Sequence, residues 1–209
     1  MYLPTHFREN RLDVLHGFIE RHPLGTLVVS TNGELTADHL PMLLVRQEGA
    51  TGTLRGHVAR ANPLWRTAAD GTEVLVIFQG SDAYVSPSSY PSKKEHGQVV
   101  PTWNYAVVHA RGRIHWFADP AQLHALVCAL TDHHELAKPE PWAVTDAPES
   151  YVASMLKAIV GFQIELTELE GKFKSSQNKS EPDRASVLDA LGVDCSPDEL
   201  SELVRAPNS

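Results

Sequence analysis

Cysteine, long apolar runs and positive charge are all scarce in this sequence. Only two cysteines, Cys128 and Cys195, occur among the 209 residues, and their separation matches no zinc-site spacing. We therefore expect buried or free thiols in a reducing compartment. The chain has no charged-then-apolar leader and no run of about 18 apolar residues, so we expect a cytoplasmic protein without a membrane span. A net charge of −8 argues against a broadly basic, nucleic-acid-binding surface.

The common motifs of nucleotide binding and hydrolysis are also missing. The sequence contains no GxGxxG, GxxxxGK[ST], GxSxG or HExxH pattern. His133-His134-Glu135 is the nearest approach to a metal cluster, but neighbouring helix residues point about 100° apart and do not share one metal. We interpret it as a polar helix end and assign no metal ligand. Catalytic residues stay unassigned, although His57, His96 and Tyr84 are available for acid–base work.

Hydrophobic periodicity predicts about seven strands with helices between them, in a chain of ordinary composition with 42% hydrophobic residues. Because tight turns join most strands, the fold class is mainly β with α additions: an antiparallel barrel with peripheral helices. Asn32-Gly33 predicts a hairpin turn, and Pro41 predicts a sheet edge or bulge. The predicted strands are 24–30, 35–45, 53–57, 73–79, 83–86, 103–117 and 159–169. The predicted helices are 11–21, 59–69, 119–136, 149–156, 183–191 and 197–204.

The segment from Tyr84 to Tyr105 begins and ends like a strand and joins the two by a long loop. Loops of this length are usually functional or disordered. Four aromatic residues argue against disorder, because disordered linkers are poor in aromatics. We predict a loop that borders a pocket, with a purely structural crossover as the alternative.

Two stretches are candidates for anion binding. His57, Arg60 and Asn62 lie where a strand meets a predicted helix, so free backbone N–H groups and a guanidinium together form a natural phosphate seat. A capped helix with a surface arginine is the alternative. The segment 172–180 offers three lysines and three serines with Gln177. It either contributes to the same anion site, lies at a subunit junction, or is a solvated loop.

The predicted strand 103–117 has two unlike faces. Small and apolar side chains share one face, which suits a barrel interior: Ala106, Val108, Ala110, Gly112, Ile114 and Trp116. The other face carries His109, Arg111, Arg113 and His115, with Trp103, Tyr105 and Val107 at its start. Such a face meets solvent, a ligand or a second subunit.

Several motifs together resemble the PaiB family of FMN-binding negative transcriptional regulators. The most specific are GHVARANP at 56–63 and VPTWNY at 100–105. The others are MYLP at 1–4 with Phe7, HLP at 39–41, Gly80 with YVSP at 84–87 and Tyr90, and Lys172 with SQN at 176–178. Their order and spacing agree with the family through nearly the whole chain.

The resemblance implies an FMN-binding split barrel over residues 1–175 and a C-terminal helical arm over 176–209, packed on the barrel or on a partner subunit. It also implies a homodimer with flavin at the subunit interface. The cofactor-binding residues it indicates are His39, Pro41, His57, Arg60, Asn62, Tyr84, Ser86, Lys93, Thr102, Trp103, Asn104, Lys172 and Gln177. Three alternatives stay open: an FMN-dependent oxidoreductase, a haem-binding enzyme on the same barrel, and a barrel without cofactor. The candidate haem ligands are His57, His96 and His109.

The C-terminal segment does not support the DNA-binding part of that family description. From Glu181 to Arg205 it carries seven carboxylates against two arginines, a net charge of −5. A DNA-recognition helix lies beside phosphates and normally brings lysine or arginine. We therefore expect a helical clasp or dimer arm, with DNA a partner implied only by the resemblance.

Overall fold

Eight strands and six α-helices form the described part of the chain. The computed structural model describes the backbone of residues 1–194 and the side chains of residues 1–191. The strands are β1 (Arg8–Glu9), β2 (Leu24–Thr31), β3 (Glu34–Pro41), β4 (Leu43–Val45), β5 (Thr53–Ala59), β6 (Thr72–Val85), β7 (Thr102–Phe117) and β8 (Ile159–Lys174). The helices are α1 (Leu12–Arg21), α2 (Leu64–Thr67), α3 (Ser92–Glu95), α4 (Pro120–Glu135), α5 (Glu149–Leu156) and α6 (Glu181–Asp194). The predicted helix 197–204 and Cys195 lie outside the described residues.

The strands follow the order β3-β2-β6-β7-β8-β5-β4, with β1 paired to β8. β2 and β3 form an antiparallel hairpin whose turn residues, Asn32 and Gly33, have φ angles of 53° and 83°. Both angles are left-handed, as a two-residue hairpin turn requires. The predicted hairpin is thus confirmed, and so is the sheet edge at Pro41, because β3 ends the strand order.

Three predicted elements differ from the structure. The predicted strand 35–45 is divided into β3 and β4, which lie at opposite ends of the strand order. The Gly80-Ser81-Asp82 triplet lies inside one continuous strand, β6, instead of forming a tight turn. The buried positions of β6 have even residue numbers before this triplet and odd residue numbers after it. The triplet therefore marks the point where the alternation of buried and exposed side chains along the strand shifts by one residue. The predicted helix 59–69 shrinks to α2, because β5 continues to Ala59 by pairing with Ile159 of β8.

The described chain divides into two compact units. Among the described residues, unit 1 comprises 1–18, 79–109 and 170–194. Its buried cluster unites Val187 and Leu191 of α6 with Ala83, Val85 and Tyr90. The helix is therefore held by apolar packing in addition to hydrogen bonds.

Unit 2 comprises residues 19–78 and 110–169. Within it β5 pairs with β8, and glycine permits close approach at several points. A Cβ on Gly112 would lie 2.3 Å from the carbonyl oxygen of Glu165, so only glycine fits at that position. Trp116 packs edge-to-face on Phe162, with 5.9 Å between ring centroids.

Burial confirms most of the two predicted faces of β7, but Val107 of the outer face is also buried and Trp116 of the inner face is half-buried. The residues with even numbers from Ala106 to Ile114 are buried, whereas Arg111 and Arg113 are exposed. Cys128 is a free thiol, as predicted, and burial raises its pKa. No helix within residues 1–194 combines the length and apolar character that crossing a bilayer requires.

Candidate functional site

The outward side of unit 1 carries aromatic rings beside lysine side chains. We name this surface, formed by Tyr84, Trp103, Tyr105, Lys172 and Lys174, the aromatic–lysine face. Tyr84 and Trp103 are 54% and 52% exposed, and their rings meet edge-to-face at 5.8 Å. Lys172 Nζ lies 5.4 Å from the centroid of the Tyr105 ring, a cation–π distance. Strand alternation explains the arrangement, because Trp103 and Tyr105 are two residues apart on β7.

The lysines of this unit form a local excess of positive charge. Lys174 Nζ donates to Thr102 Oγ1, and Lys172 Nζ donates to the carbonyl oxygen of Tyr2 at 3.1 Å. Burial lowers the pKa of Lys174, Tyr105 acts in the opposite direction, and the charges of Lys172 and Lys179 lower it further. Within the described residues none of these three lysines forms an ion pair. An anion bound at this face would therefore relieve charge repulsion.

A buried polar turn lies directly after β8. Ser176 has a left-handed φ of 62°, and its Oγ donates to Asn104 Oδ1 at 3.1 Å. Gln177 Oε1 accepts from Ser175 N at 2.7 Å, and Gln177 Nε2 donates to the carbonyl oxygen of Phe173 at 2.5 Å. Asn104 is fully buried, and its Nδ2 has no hydrogen-bond partner in the described part of the chain. Asn104 and Gln177 thus shape the turn that follows Lys174.

The loop from residue 86 to 101 is ordered by its own side chains. Ser86 Oγ accepts from Ser88 N at 3.2 Å and caps a 3₁₀ turn over Pro87–Ser89. Lys93 Nζ donates to Ser88 Oγ at 3.2 Å. Ser86 and Lys93, both candidates for cofactor binding, are therefore engaged with Ser88. A pocket role for this loop stays a prediction.

At the junction after β5, in unit 2, the polar side chains form hydrogen bonds with other groups of the protein. Arg60 Nε donates to the carbonyl oxygen of Lys157 at 2.7 Å, and Arg60 Nη2 donates to that of Ile159 at 2.9 Å. Asn62 Nδ2 donates to Asp38 Oδ1 at 3.0 Å, while Asn62 Oδ1 accepts from Leu64 N at 2.8 Å. Because α2 is only four residues long, the helix contributes little to an anion seat. The phosphate seat at this junction stays a prediction.

The remaining predicted residues of unit 2 lie in two places. His39 and Pro41 are exposed on the edge strand β3. His57 lines a cavity, and its Nδ1 atom is buried without a hydrogen-bond partner in the described chain. Burial lowers the pKa of His57, so the neutral imidazole is favoured.

The histidines considered as haem or metal ligands are not grouped into a ligand set within the described residues. His96 Nδ1 accepts from Gln98 N at 3.0 Å, and His109 is half-buried. His133 and His134 lie exposed at the end of α4, with ring centroids 5.1 Å apart. Across residues 1–194 no group of three or more histidine, cysteine or acidic side chains is arranged to hold a metal ion.

Several residues that these surfaces bring into view are absent from the cofactor-binding residues predicted from the sequence. Lys174 follows Lys172 by two residues, and this strand alternation was the available signal for a second lysine on the same face. Tyr2 and Tyr105 flank Lys172 at 5.7 and 5.4 Å. Trp142 borders the His57 cavity from a proline-rich loop, and no local pattern indicated that position.

Comparison with known proteins places this chain in a family. A family model described as "Putative FMN-binding domain" matches residues 1–168. Protease synthase and sporulation protein PAI 2 of Bacillus subtilis is 31% identical over 98% of this chain and 97% of the relative. The chain therefore belongs to the FMN-binding domain family that includes PaiB, which confirms the resemblance found in its motifs.

Solved structures confirm the fold class. The FAD and haem binding protein from Mycobacterium smegmatis superimposes with a TM-score of 0.61 at 17% identity, covering 86% of this chain and 80% of that protein. The flavocytochrome Anf3 from Azotobacter vinelandii gives a TM-score of 0.57 at 14% identity, covering 86% and 75%. The fold is the mainly β split barrel with peripheral helices and a C-terminal helical extension.

Proposed function

We propose that this protein is an FMN-binding regulator or sensor of the PaiB kind and that it acts as a homodimer. The observation that carries the proposal is the aromatic–lysine face of unit 1. Its rings offer surfaces on which the planar isoalloxazine can stack, and its lysines offer charge for a phosphate. Family membership, with 31% identity to PAI 2, supports the same assignment.

The aromatic–lysine face fits FMN in its chemistry. Trp103 and Tyr84 are each about half exposed, so a ring laid on them would bury apolar area. Lys174 and Lys172 bring positive charge without a carboxylate to neutralise it among the described residues. When bound, FMN supplies hydride and electron transfer. The contribution of the chain is to bind and orient the flavin.

The edge strand β3 supports the homodimer. Six of its eight residues are exposed, including His39, Pro41 and Leu35, the last at 76%. A long exposed edge presents unpaired backbone groups that another chain can cover. A second copy of this chain is the natural partner, because most soluble oligomers are homo-oligomers with two-fold symmetry.

Titration with FMN and with riboflavin tests the flavin site. Because riboflavin lacks the phosphate, the comparison distinguishes residues that bind the phosphate from residues that bind the ring. We expect saturable, micromolar quenching of flavin fluorescence by the wild type. Lys174→Ala should weaken FMN by about 1.5–3 kcal/mol, the range of a charge-assisted hydrogen bond, and leave riboflavin unchanged. Trp103→Ala should weaken both ligands, because it removes the stacking surface.

Lys138→Ala is the matched control, since Lys138 is an exposed lysine of unit 2. It should leave the affinity of both flavins unchanged. Equal losses for FMN and riboflavin in Lys174→Ala would remove the phosphate role of that lysine. Absence of saturable FMN binding to the wild type would overturn the flavin proposal itself. An FMN loss in Arg60→Ala of similar size, with unchanged stability, would move the phosphate to the junction after β5.

A further inference from the structure

A buried hydrogen bond lies behind the aromatic–lysine face of unit 1. Ser176 Oγ donates to Asn104 Oδ1 at 3.1 Å, and the two residues are 3% and 0% exposed. Because neither side chain reaches the surface, neither can touch a ligand that is bound to the face. Any effect of this pair on a ligand must therefore act through the residues beside it.

This hydrogen bond joins the segment that carries the rings to the segment that carries the lysines. Asn104 follows Trp103 on β7, and strand alternation turns the two side chains to opposite faces, one buried and one exposed. Ser176 follows Lys174 by two residues, in the turn after β8. A second hydrogen bond, from Lys174 Nζ to Thr102 Oγ1, connects the same two segments. The placement of the ring relative to the ammonium group therefore depends on contacts between the start of β7 and the end of β8.

The turn at Ser176 is restrained from more than one side. Its φ of 62° is left-handed, a conformation that costs a non-glycine residue free energy and persists only where the surroundings enforce it. Gln177 Oε1 supplies one restraint, because it accepts from Ser175 N at 2.7 Å within the turn. The hydrogen bond to Asn104 supplies another and is the one that refers the turn to β7. Because Lys174 is the last residue of β8, the turn also fixes the direction in which its side chain leaves the strand.

The polar pair is costly to the fold. Asn104 Nδ2 is buried and has no hydrogen-bond partner among the described residues, and an unpaired buried donor destabilises the folded state. Replacement of both partners of a buried hydrogen bond by apolar groups of similar shape is often neutral or stabilising. The stability of the fold therefore does not by itself account for a polar pair at this place. A directional bond between β7 and the turn does account for it, because buried polar contacts fix one arrangement of the chain.

We propose that Asn104 and Ser176 are positioning residues, whose hydrogen bond sets the distance between the ring half and the ammonium half of the aromatic–lysine face. The two halves are represented by the Trp103 ring and the Lys174 ammonium group. A ligand that carries both a planar ring and a phosphate gains from both halves only when the face holds them at a matching distance. The pair therefore determines the preference of the face for FMN over riboflavin. The inference rests on the proposed flavin site and adds the origin of its selectivity for a phosphorylated ring.

Asn104→Val combined with Ser176→Ala tests the proposal, because this double variant removes both polar partners and leaves Trp103 and Lys174 in place. Valine suits a strand position, and urea unfolding checks that the double variant folds like the wild type. The wild type should bind FMN about 10- to 150-fold tighter than riboflavin, the factor of one charge-assisted hydrogen bond. In the double variant this preference should fall to about 3-fold or less, as expected when ring and phosphate are no longer held together. The affinity for riboflavin should stay within about 3-fold, because the ring still stacks on Trp103.

Addition of Lys174→Ala to the double variant shows whether the pair acts through that lysine. The added substitution should cost no further FMN affinity, whereas in the wild-type background it should cost about 10- to 150-fold. Thr167→Val is the matched control, because Thr167 Oγ1 donates to the carbonyl oxygen of Arg111 at 3.3 Å and so links β8 to β7 within unit 2. It should keep the FMN preference of the wild type. Ser176→Ala alone, which removes a single oxygen atom, should lower the preference in the same direction and serves if the double variant does not fold.

NMR titration of isotope-labelled lysine gives a measurement that needs no flavin. Burial lowers the pKa of Lys174 in the wild type. In Ser176→Ala the displaced side chain should meet more water, so this pKa should rise toward the ordinary lysine value of about 10.4. An unchanged FMN preference in the folded variants would overturn the positioning role, and so would an unchanged pKa of Lys174. Absence of FMN binding to the wild type would instead overturn the proposed function, and the titration of Lys174 would then decide the positioning role by itself.

Discussion

Arg60 holds the chain that follows α5 with three hydrogen bonds, two from its guanidinium and one from its backbone nitrogen. Its residue type and its place beside a helix start are typical of a phosphate ligand. Its contacts with Lys157, Ala158 and Ile159 are those of a structural clamp. The difference arises because the carbonyls that Arg60 reaches come from a segment about 100 residues away in sequence, which no local pattern can reveal.

His57 gives a prediction about pH at the residue scale. Burial depresses its pKa in the folded state below the unfolded value of about 6.5. The unfolded chain therefore binds more protons as the pH falls through this region. The stability contributed by neutral His57 is complete above about pH 6.5 and declines below it, with a slope of at most about 1.4 kcal/mol per pH unit.

Chemical unfolding at several pH values checks this slope. His57→Gln, which does not titrate, should have a flatter dependence of the unfolding free energy between neutral pH and the folded pKa. His22→Gln, which replaces another histidine of unit 2, is the comparison for the loss of an imidazole in general. Parallel curves for His57→Gln and the wild type would contradict the depressed pKa.

At the scale of elements, α6 is joined to α3 by one carboxylate. Asp183 accepts from Ser92 N at 3.2 Å and from Ser92 Oγ at 2.9 Å. Burial alone would raise the pKa of Asp183, but these hydrogen bonds, with that of Ser180, hold it below its ordinary value. The carboxylate also lies in the first turn of α6, where negative charge is favoured by the helix dipole.

Removal of one of these bonds should loosen α6 measurably. Ser92→Ala should lower the unfolding free energy by about 1.5–3 kcal/mol at neutral pH, because it removes a hydrogen bond to a charged group. A carboxyl group whose pKa is lower in the folded state stabilises the fold at pH values above its unfolded pKa of about 3.9. This stabilisation is lost as the pH falls through the folded pKa. The cost of Ser92→Ala should therefore shrink in acid.

Urea unfolding measures this difference, with Ser89→Ala as the control. Ser89 lies in the same loop, and among the described residues its hydroxyl makes no hydrogen bond, so its replacement should change stability little. An equal cost in both variants at neutral pH would show that loop composition, and not the bond to Asp183, holds α6.

Elements also differ in how far sequence can predict them. Periodicity predicted α5 at 149–156 with the bounds observed, because its start after Pro148 is locally encoded. The sequence predicts a break in β6 at Gly80-Ser81-Asp82, because the propensity of that triplet for turns is local, but the strand is continuous. Its neighbours in the sheet supply the pairing that keeps it extended.

At the scale of the whole molecule, charge opposes direct contact with DNA. The net charge is −8, and the described part of α6 carries Glu181, Asp183 and Asp189 against Arg184. We expect no gel shift of the DNA upstream of its own coding sequence by the isolated protein, even at low salt, where phosphate contacts are strongest. A regulatory role would then act through a partner protein.

The gel-shift experiment is run with the protein in the presence and absence of FMN and at a series of salt concentrations. Protein with and without added FMN should give the same negative result, and a random duplex serves as the control. A shift at low salt that weakens as salt rises would contradict this expectation and indicate direct phosphate contacts. A shift of the upstream fragment alone would add sequence specificity and make direct repression the simpler account.

The sequence by itself determined the family, the fold class and most strands, because motif order, alternation and turn chemistry are local properties that survive without knowledge of packing. It also brought Thr102, Trp103, Asn104 and Lys172 forward as candidates. Only the tertiary structure decided what their neighbours are. Lys174 reaches Thr102 over 72 residues and Arg60 reaches Ile159 over 99, so the lysine lies on the aromatic–lysine face while the arginine clamps the chain that follows α5. Residue type states which bonds a side chain can make, and only the folded chain selects which of them form.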